Sequence, residues 1–218
     1  MKTLNQYIKE KLIINKDYRD ATVVVKSFDE LRKIIEDRYD KLGSGTKENP
    51  IDFNDIDVSN IDSFCNSKDE GIFQETKFKY IDISDWNVSN ITKMMSMFYK
   101  CEELKSVGDI SEWDVSNVTD MGSMFFRCEK LESVGDISNW DVSKVTNMAY
   151  MFEDCEKLKS VGDISDWDVS KVTIMTFMFY GCASFNQNIS GWDVSKVTAA
   201  VGMFDSCPIK EEYKPKFK

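Results

Sequence analysis

The chain has no histidine among its 218 residues, only three prolines and ten glycines, and no run of 18 apolar side chains. Each shortage excludes something. Without histidine, imidazole-based catalytic triads and His-ligated zinc have no donor. The six cysteines contain no C-x-x-C pair, which removes the usual thiolate zinc spacing as well. A chain without a long apolar run is expected to have no transmembrane helix and no membrane insertion. The opening MKTLNQYIKEKLIINKDY lacks the apolar core and small-residue cleavage site of a signal peptide, so a cytoplasmic location is expected. The isolated GSG at 43–45 has no phosphate-loop spacing, and there is no G-x-S-x-G. Positive charge is also short: 28 Lys+Arg stand against 38 Asp+Glu, a net of −10. Residues 1–50 hold 11 basic and 9 acidic side chains, so the rest of the chain carries −12. A body of that sign excludes nucleic acid as a partner and disfavours an anionic membrane surface.

What is present is a regular beat. Tryptophans stand at Trp86, Trp113, Trp140, Trp167 and Trp192, spaced 27, 27, 27 and 25. Cys101, Cys128, Cys155 and Cys182 keep the period of 27, and Cys207 follows 25 later. A fixed period of this length marks a repeat protein. One unit is DVSNVTDMGSMFFRCEKLESVGDISNW (114–140), and the next is DVSKVTNMAYMFEDCEKLKSVGDISDW (141–167). A degenerate first unit contains DFNDIDVSNIDSFC, with Ile56 in the Trp position, and an incomplete last unit runs from Asp193 to Cys207.

Within a unit, Val118, Met121, Met124, Phe125, Cys128 and Leu131 recur at steps of three and four. That spacing predicts a short amphipathic helix with Ser116 or Thr119 near its cap. Gly135 breaks the helix, and DIS is expected to be extended. The expected fold is therefore an α/β repeat solenoid over residues 51–207, each unit a short strand plus a short helix in one turn of a right-handed coil. No unit buries its apolar side alone, so stability is a sum over neighbours. The cysteine column reads as reduced core, and the tryptophan column as core or half-buried edge.

Residues 1–50 read as a small helical N-terminal cap or docking element. Leu4, Ile8 and Leu12 predict a helix over 3–14, and TVVVK (22–26) predicts a strand. Ser27 and Glu30 have the spacing of a capping box. The helix it opens carries the stripe Phe28, Leu31, Ile34, Ile35, Tyr39 and Leu42, and Gly43 is placed to stop it. GSGTKENP (43–50) reads as a linker, and 208–218 as a basic C-terminal tail.

Two acidic columns recur: Asp82, Asp109, Asp136 and Asp163, closing with Asn188; and Asn87, Asp114, Asp141, Asp168 and Asp193. Layers about 4.8 Å apart would set like charges against each other. Turn N–H groups can hold each carboxylate in its D-x-S segment, Lys144, Lys171 and Lys196 can lie alongside, or hard cations can bridge them. The local turn is the favoured reading. A glycosidase pair is rejected, because repetition supplies equivalent pairs where catalysis needs two different environments. No cofactor and no catalytic residue are expected. The candidate binding residues are those that vary between units on the solvated side: Tyr99, Phe126, Tyr150, Phe177 and Tyr180, an aromatic set that reads as an anchor patch, with Glu112 and Asp166 before the tryptophans.

The segment FNQNISGWDVSKVTAAVGMF (185–204) resembles the signature of the BspA-like leucine-rich repeat surface proteins, F-N-Q-x-I-S-x-W-D-V-S-x-V-T-x-M-x-x-M-F. The resemblance extends over about residues 51–207. The 27-residue units depart from it by carrying LKSVGDIS or LESVGDIS where that family often has FNQDIS. It implies a leucine-rich-repeat-like curved solenoid, a bacterial cell-surface setting, adhesion and protein binding. The opening LNQYIKEKLIINKDY also resembles leaders on proteins of gut bacteria and their phages.

The function expected is a non-enzymatic scaffold for protein–protein recognition, whose partner is basic on its contact face. The alternatives are a carbohydrate or cell-surface adhesin and a cation-stabilised structural repeat protein.

Overall fold

The computed structural model describes residues 23–159 and 161–217. The helix expected over 3–14 lies outside them. The chain opens on β1 (Val23–Val24) and α1 (Phe28–Leu42). Ser27 caps α1: its Oγ accepts from the Glu30 N–H at 3.2 Å, while the Glu30 carboxylate accepts from the Lys26 N–H at 2.7 Å. At the other end Gly43, at φ +75°, donates to the Tyr39 carbonyl at 2.8 Å.

The repeat region contributes β2 (Ile51–Asp52), β3 (Ile56–Asp57) and β4 (Ile81–Asp82). β1 pairs parallel with β3, and β2 parallel with β4, so β1 forms the rung ahead of the first unit. Further on, the units meet through single parallel bridges one period apart. Lys93, Asp120, Asn147, Ile174 and Ala199 make one column, and Tyr80, Ser106 and Ser133 another. The extended DIS expectation holds only in part: β4 takes in Asp82; Ile83, Ile110 and Ile137 each donate one N–H to the next unit; and Ile164–Asp166 instead forms a short 3-10 turn.

The helix expected in each unit is absent; among the described residues, no α-helix follows α1. Met121, Ser123, Phe125 and Arg127 donate their N–H to Asn147, Ala149, Met151 and Glu153 of the next unit at 2.8–3.0 Å. Met124, Phe126 and Cys128 donate back to Met121, Ser123 and Phe125, closing linked turns. The backbone enters the left-handed region at Ser123 (φ 55°) and Arg127 (φ 54°), which no α-helix permits. The hydrogen bonds give the physical reason: alternate N–H groups of this segment are spent on the next unit, whereas an α-helix spends each on the carbonyl four residues back. Linked turns also return a side chain to the core every three residues, so the apolar steps alone do not separate the two structures.

The core is a set of rows running through the layers. Phe73, Phe98, Phe125, Phe152, Phe179 and Phe204 stack at centroid distances of 5.2, 5.2, 5.6, 5.8 and 6.1 Å, with planes within 16°. The tryptophans are buried, and Trp113 and Trp140 stack at 6.3 Å. Each indole N–H finds a carbonyl one unit back: Trp113 to Ile83, Trp140 to Ile110, Trp167 to Ile137, Trp192 to Ile164. All six cysteines are free thiols. Cys101, Cys128, Cys155 and Cys182 donate to the carbonyls of Phe73, Phe98, Phe125 and Phe152 at 2.9–3.1 Å. Gly135, at φ +87°, lies so close to Asp109 of the preceding unit that a Cβ would stand 2.2 Å from its Oδ1.

α1 closes the N-terminal end. Leu31 and Ile35 are fully buried against the first unit, and Tyr39 meets Phe78 edge to face at 5.1 Å. Arg38 pairs with Asp55 at 2.6 Å, donates to the Asp52 carbonyl, and lies 5.0 Å from the Phe53 ring. The 43–50 segment read as a linker is held down: the Ser44 carbonyl accepts from Lys79 at 2.6 Å and Tyr80 at 3.1 Å. At the C-terminal end the tail folds back. Ile209 and Pro215 are buried, and Ile189 donates to the Tyr213 carbonyl at 2.9 Å.

Candidate functional site

Two neighbouring columns of the linked-turn segment turn away from the core. The residue after each stacked Phe gives Tyr99, Phe126, Glu153, Tyr180 and Asp205. The first left-handed position gives Ser96, Ser123, Tyr150, Phe177 and Gly202, at φ 54–64°. A left-handed backbone is costly for side chains as large as Tyr and Phe. The inter-unit hydrogen bonds hold it, with Tyr150 donating to Thr176 at 2.9 Å and Phe177 to Val201 at 3.0 Å.

The five candidate aromatics touch in one unbroken row. Tyr99 stacks on Phe126 (4.7 Å, 9°), Phe126 meets Tyr150 edge-on (6.3 Å, 80°), Tyr150 stacks on Phe177 (5.7 Å, 27°), and Phe177 meets Tyr180 edge-on (5.5 Å, 87°). Tyr150 is 37% exposed and the other four are half-buried. At one end Lys100 Nζ lies 5.2 Å from the Tyr99 ring centre and 3.9 Å from the Glu75 carboxylate. At the other end the Phe177 ring rests on Gly202, where a Cβ would meet it at 2.2 Å.

Glu153 interrupts the aromatic column between Phe126 and Tyr180. Its Oε2 is shielded from water and has no hydrogen-bond partner among the described residues. Burial raises its pKa to about 6; the neighbouring Asp154 charge adds to the rise and Arg127 opposes it. Arg127 Nε lies 3.6 Å from Asp154 Oδ2. The surface around the row thus runs from basic, at Lys100 and Arg127, to acidic, at Glu153, Asp154 and Asp205.

Glu112 is exposed in the turn before Trp113, and Asp166 is exposed at the end of the 3-10 turn Ile164–Asp166, before Trp167. Among the described residues, no hydrogen bond, ion pair or ring contact joins them to the aromatic row. The recurrent carboxylates are held by their own turns. Oδ1 of Asp109, Asp114, Asp136, Asp141, Asp163 and Asp168 accepts from the N–H of the serine two residues on, at 3.0–3.1 Å. The serine hydrogen bonds lower the pKa of Asp114, Asp136, Asp141, Asp163 and Asp168. Among the described residues, no three Asp, Glu or Cys side chains form a group able to hold a metal ion, and no helix is long and apolar enough to cross a membrane.

The periodicity gives no direct sign of the left-handed columns, yet a clue is present. Gly181 aligns with Lys100, Arg127 and Asp154, and Gly202 with Ser123 and Tyr150, so glycine substitutes where L residues adopt positive φ.

No curated protein and no solved structure matches the chain. The model of a repeat family described as "Mycoplasma protein of unknown function, DUF285" matches it three times in overlapping registers, over residues 46–136, 67–163 and 104–214. Those matches take in the stacked units together with the aromatic row they carry, and this chain belongs to that family.

Proposed function

We propose that the chain is a leucine-rich-repeat-like solenoid of the BspA-like kind, and that it works as a non-enzymatic scaffold for protein recognition. The observation that carries this reading is the continuous row Tyr99–Phe126–Tyr150–Phe177–Tyr180 on the outside of the layers. Aromatics of this size have ample room in the Phe and Trp rows. A second, half-exposed set held partly in a strained backbone is what an anchor surface requires. Glu153 and Asp154 beside the row, on a body of net −12, favour a partner with basic side chains at the contact.

The carbohydrate reading draws less support from the geometry. Sugars pack on open ring faces, and here Tyr99 with Phe126, and Tyr150 with Phe177, turn their faces to each other. The cation-stabilised reading also draws less, since each recurrent Asp already accepts from its turn serine.

The test compares affinity capture from source cells by the native chain and by a Tyr150→Ser/Phe177→Ser double variant, both checked for equal helicity and Tm. A protein retained by the native chain and lost with the double variant is expected. Identical captures from two equally folded baits would sink the proposal, and binding across a glycan array, lost in the same variant, would replace it with adhesion to sugars.

A further inference from the structure

We infer that the C-terminal edge of the stack, at residues 199–206, docks an extended segment of a partner polypeptide that supplies a row of backbone carbonyls. The linked-turn segments have a direction. In each unit, alternate N–H groups point toward the next unit and alternate carbonyls toward the previous one: Met175, Phe177, Phe179 and Gly181 donate to Ala199, Val201, Met203 and Asp205 at 2.7–3.0 Å. The residues that continue the donor columns in the last unit are Ala200, Gly202, Phe204 and Ser206. Their N–H groups have no acceptor among the described residues. Successive N–H groups aimed one way, with left-handed residues between them at Gly202 (φ 64°) and Ser206 (φ 57°), form an electropositive edge that calls for oxygen acceptors.

The opposite end shows how this fold treats such an edge. There the outward groups are carbonyls, and Arg32 Nη1 donates to two of them, Ile72 at 2.9 Å and Gln74 at 3.2 Å, and also to the turn carbonyl of Gly71 at 3.2 Å. The C-terminal tail closes only half of its own end. Tyr213 offers its carbonyl to Ile189 in the place where Val161 meets Ile137. Beside the open half lies a cleft of about 570 Å³ lined by Gly202, Phe204, Asp205, Lys214 and Phe217. Phe217, 39% exposed, gives it apolar surface, and Val201 on the open segment itself is 71% exposed.

The occupant follows from polarity. A second copy cannot pair edge to edge through this surface, since both would present donors. It cannot stack head to tail either, since its carbonyl edge is sealed by Arg32 and α1. An ordinary strand alternates donors with acceptors and satisfies only part of the row. A segment of another protein in the same alternating conformation, with carbonyls at every second residue and an apolar side chain over Val201, completes the ladder. This inference is independent of the aromatic row.

Amide hydrogen exchange on the full chain tests it, with a synthetic peptide of residues 141–154 (DVSKVTNMAYMFED) as probe. That peptide carries the carbonyls of Asn147, Ala149, Met151 and Glu153, which fill this role inside the stack. Expected are fast exchange at Ala200, Gly202, Phe204 and Ser206 in the free chain and slowing by roughly tenfold or more with millimolar peptide. A sequence-shuffled peptide should give no slowing, and a Val201→Asp chain of unchanged Tm should lose the effect. Three results would overturn it: no slowing by the peptide, equal slowing by acetate or sulfate alone, or a dimer that protects these amides without peptide.

Discussion

At the N-terminal end of the stack a guanidinium covers the outward carbonyls of Ile72 and Gln74, and β1 and α1 seal the apolar layer. At the C-terminal end the tail seals the side around Ile189, and four N–H groups beside Val201 are left facing out. The two ends therefore differ in kind. Layers joined by aligned peptide groups have an acceptor pole and a donor pole, and the chain carries a built-in counterpart for the first. A repeat array is closed by matching the polarity of its last rung as well as by covering its apolar face.

The sharpest way to break this comparison is truncation. Removing residues 1–50 strips the first unit of Leu31, Ile35 and the buried Arg38–Asp55 pair. The expected loss exceeds about 5 kcal/mol, enough to cause aggregation, whereas removing 208–218 costs about 2–3 kcal/mol. Equal urea midpoints for the two truncations would refute the asymmetry. Next, Phe152→Ala inside the row costs about 3–5 kcal/mol, and Phe204→Ala at the half-covered end about 1–2 kcal/mol. Matching midpoints would show that the last layer is packed like the middle. Arg32→Met should cost about 1.5–3 kcal/mol by leaving the Ile72 and Gln74 carbonyls without their donor. Arg32→Lys should recover only part of that, since an ammonium lacks the planar fork.

The middle of the stack gives a pH signature that neither end supplies. The Glu153 pKa in the folded chain is raised from 4.5 to about 6, so its contribution is fully present below pH 4.5 and is lost as pH rises through about 6. The turn aspartates work the other way. Their folded values lie below the ordinary 3.8, so their contribution is present above it and is lost as pH falls further. Glu153→Gln should flatten the Tm profile between pH 4.5 and 6 and leave the acid limb unchanged; an unaltered profile would remove Glu153 from the account. The smallest expected effect is a gain. Ser123→Gly relieves a left-handed Cβ and should add about 0.5 kcal/mol, read as a higher denaturant midpoint.

Much of this arrangement is legible in the sequence because the repeat fixes it. Spacing alone places Phe98, Phe125, Phe152 and Phe179 in one row, the tryptophans in another and the thiols in a third. The capping serine and terminal glycine of α1 are legible for the same reason: each is a local chemical requirement. The unit helix is misread, since a three-residue apolar step suits both a helix and a chain of turns, and only the destination of the backbone N–H groups, the next unit or four residues back, decides between them. The candidate aromatics are legible as a set because they vary while the core does not. Their contact sequence follows from left-handed φ at Tyr150 and Phe177, which has no signature in those residue types. Arg32 and the outward N–H row are illegible, since a backbone direction leaves no mark on composition.

The thiol column has a practical consequence. Burial raises the pKa of Cys101 to about 11, pushes those of Cys128, Cys155 and Cys182 upward as well, and each sulfur is engaged with a carbonyl one layer back. A thiol in that state resists alkylation until its layer parts. Nature has thus installed one chemical clock per storey, and the order in which the four accept a label records from which side the column comes undone.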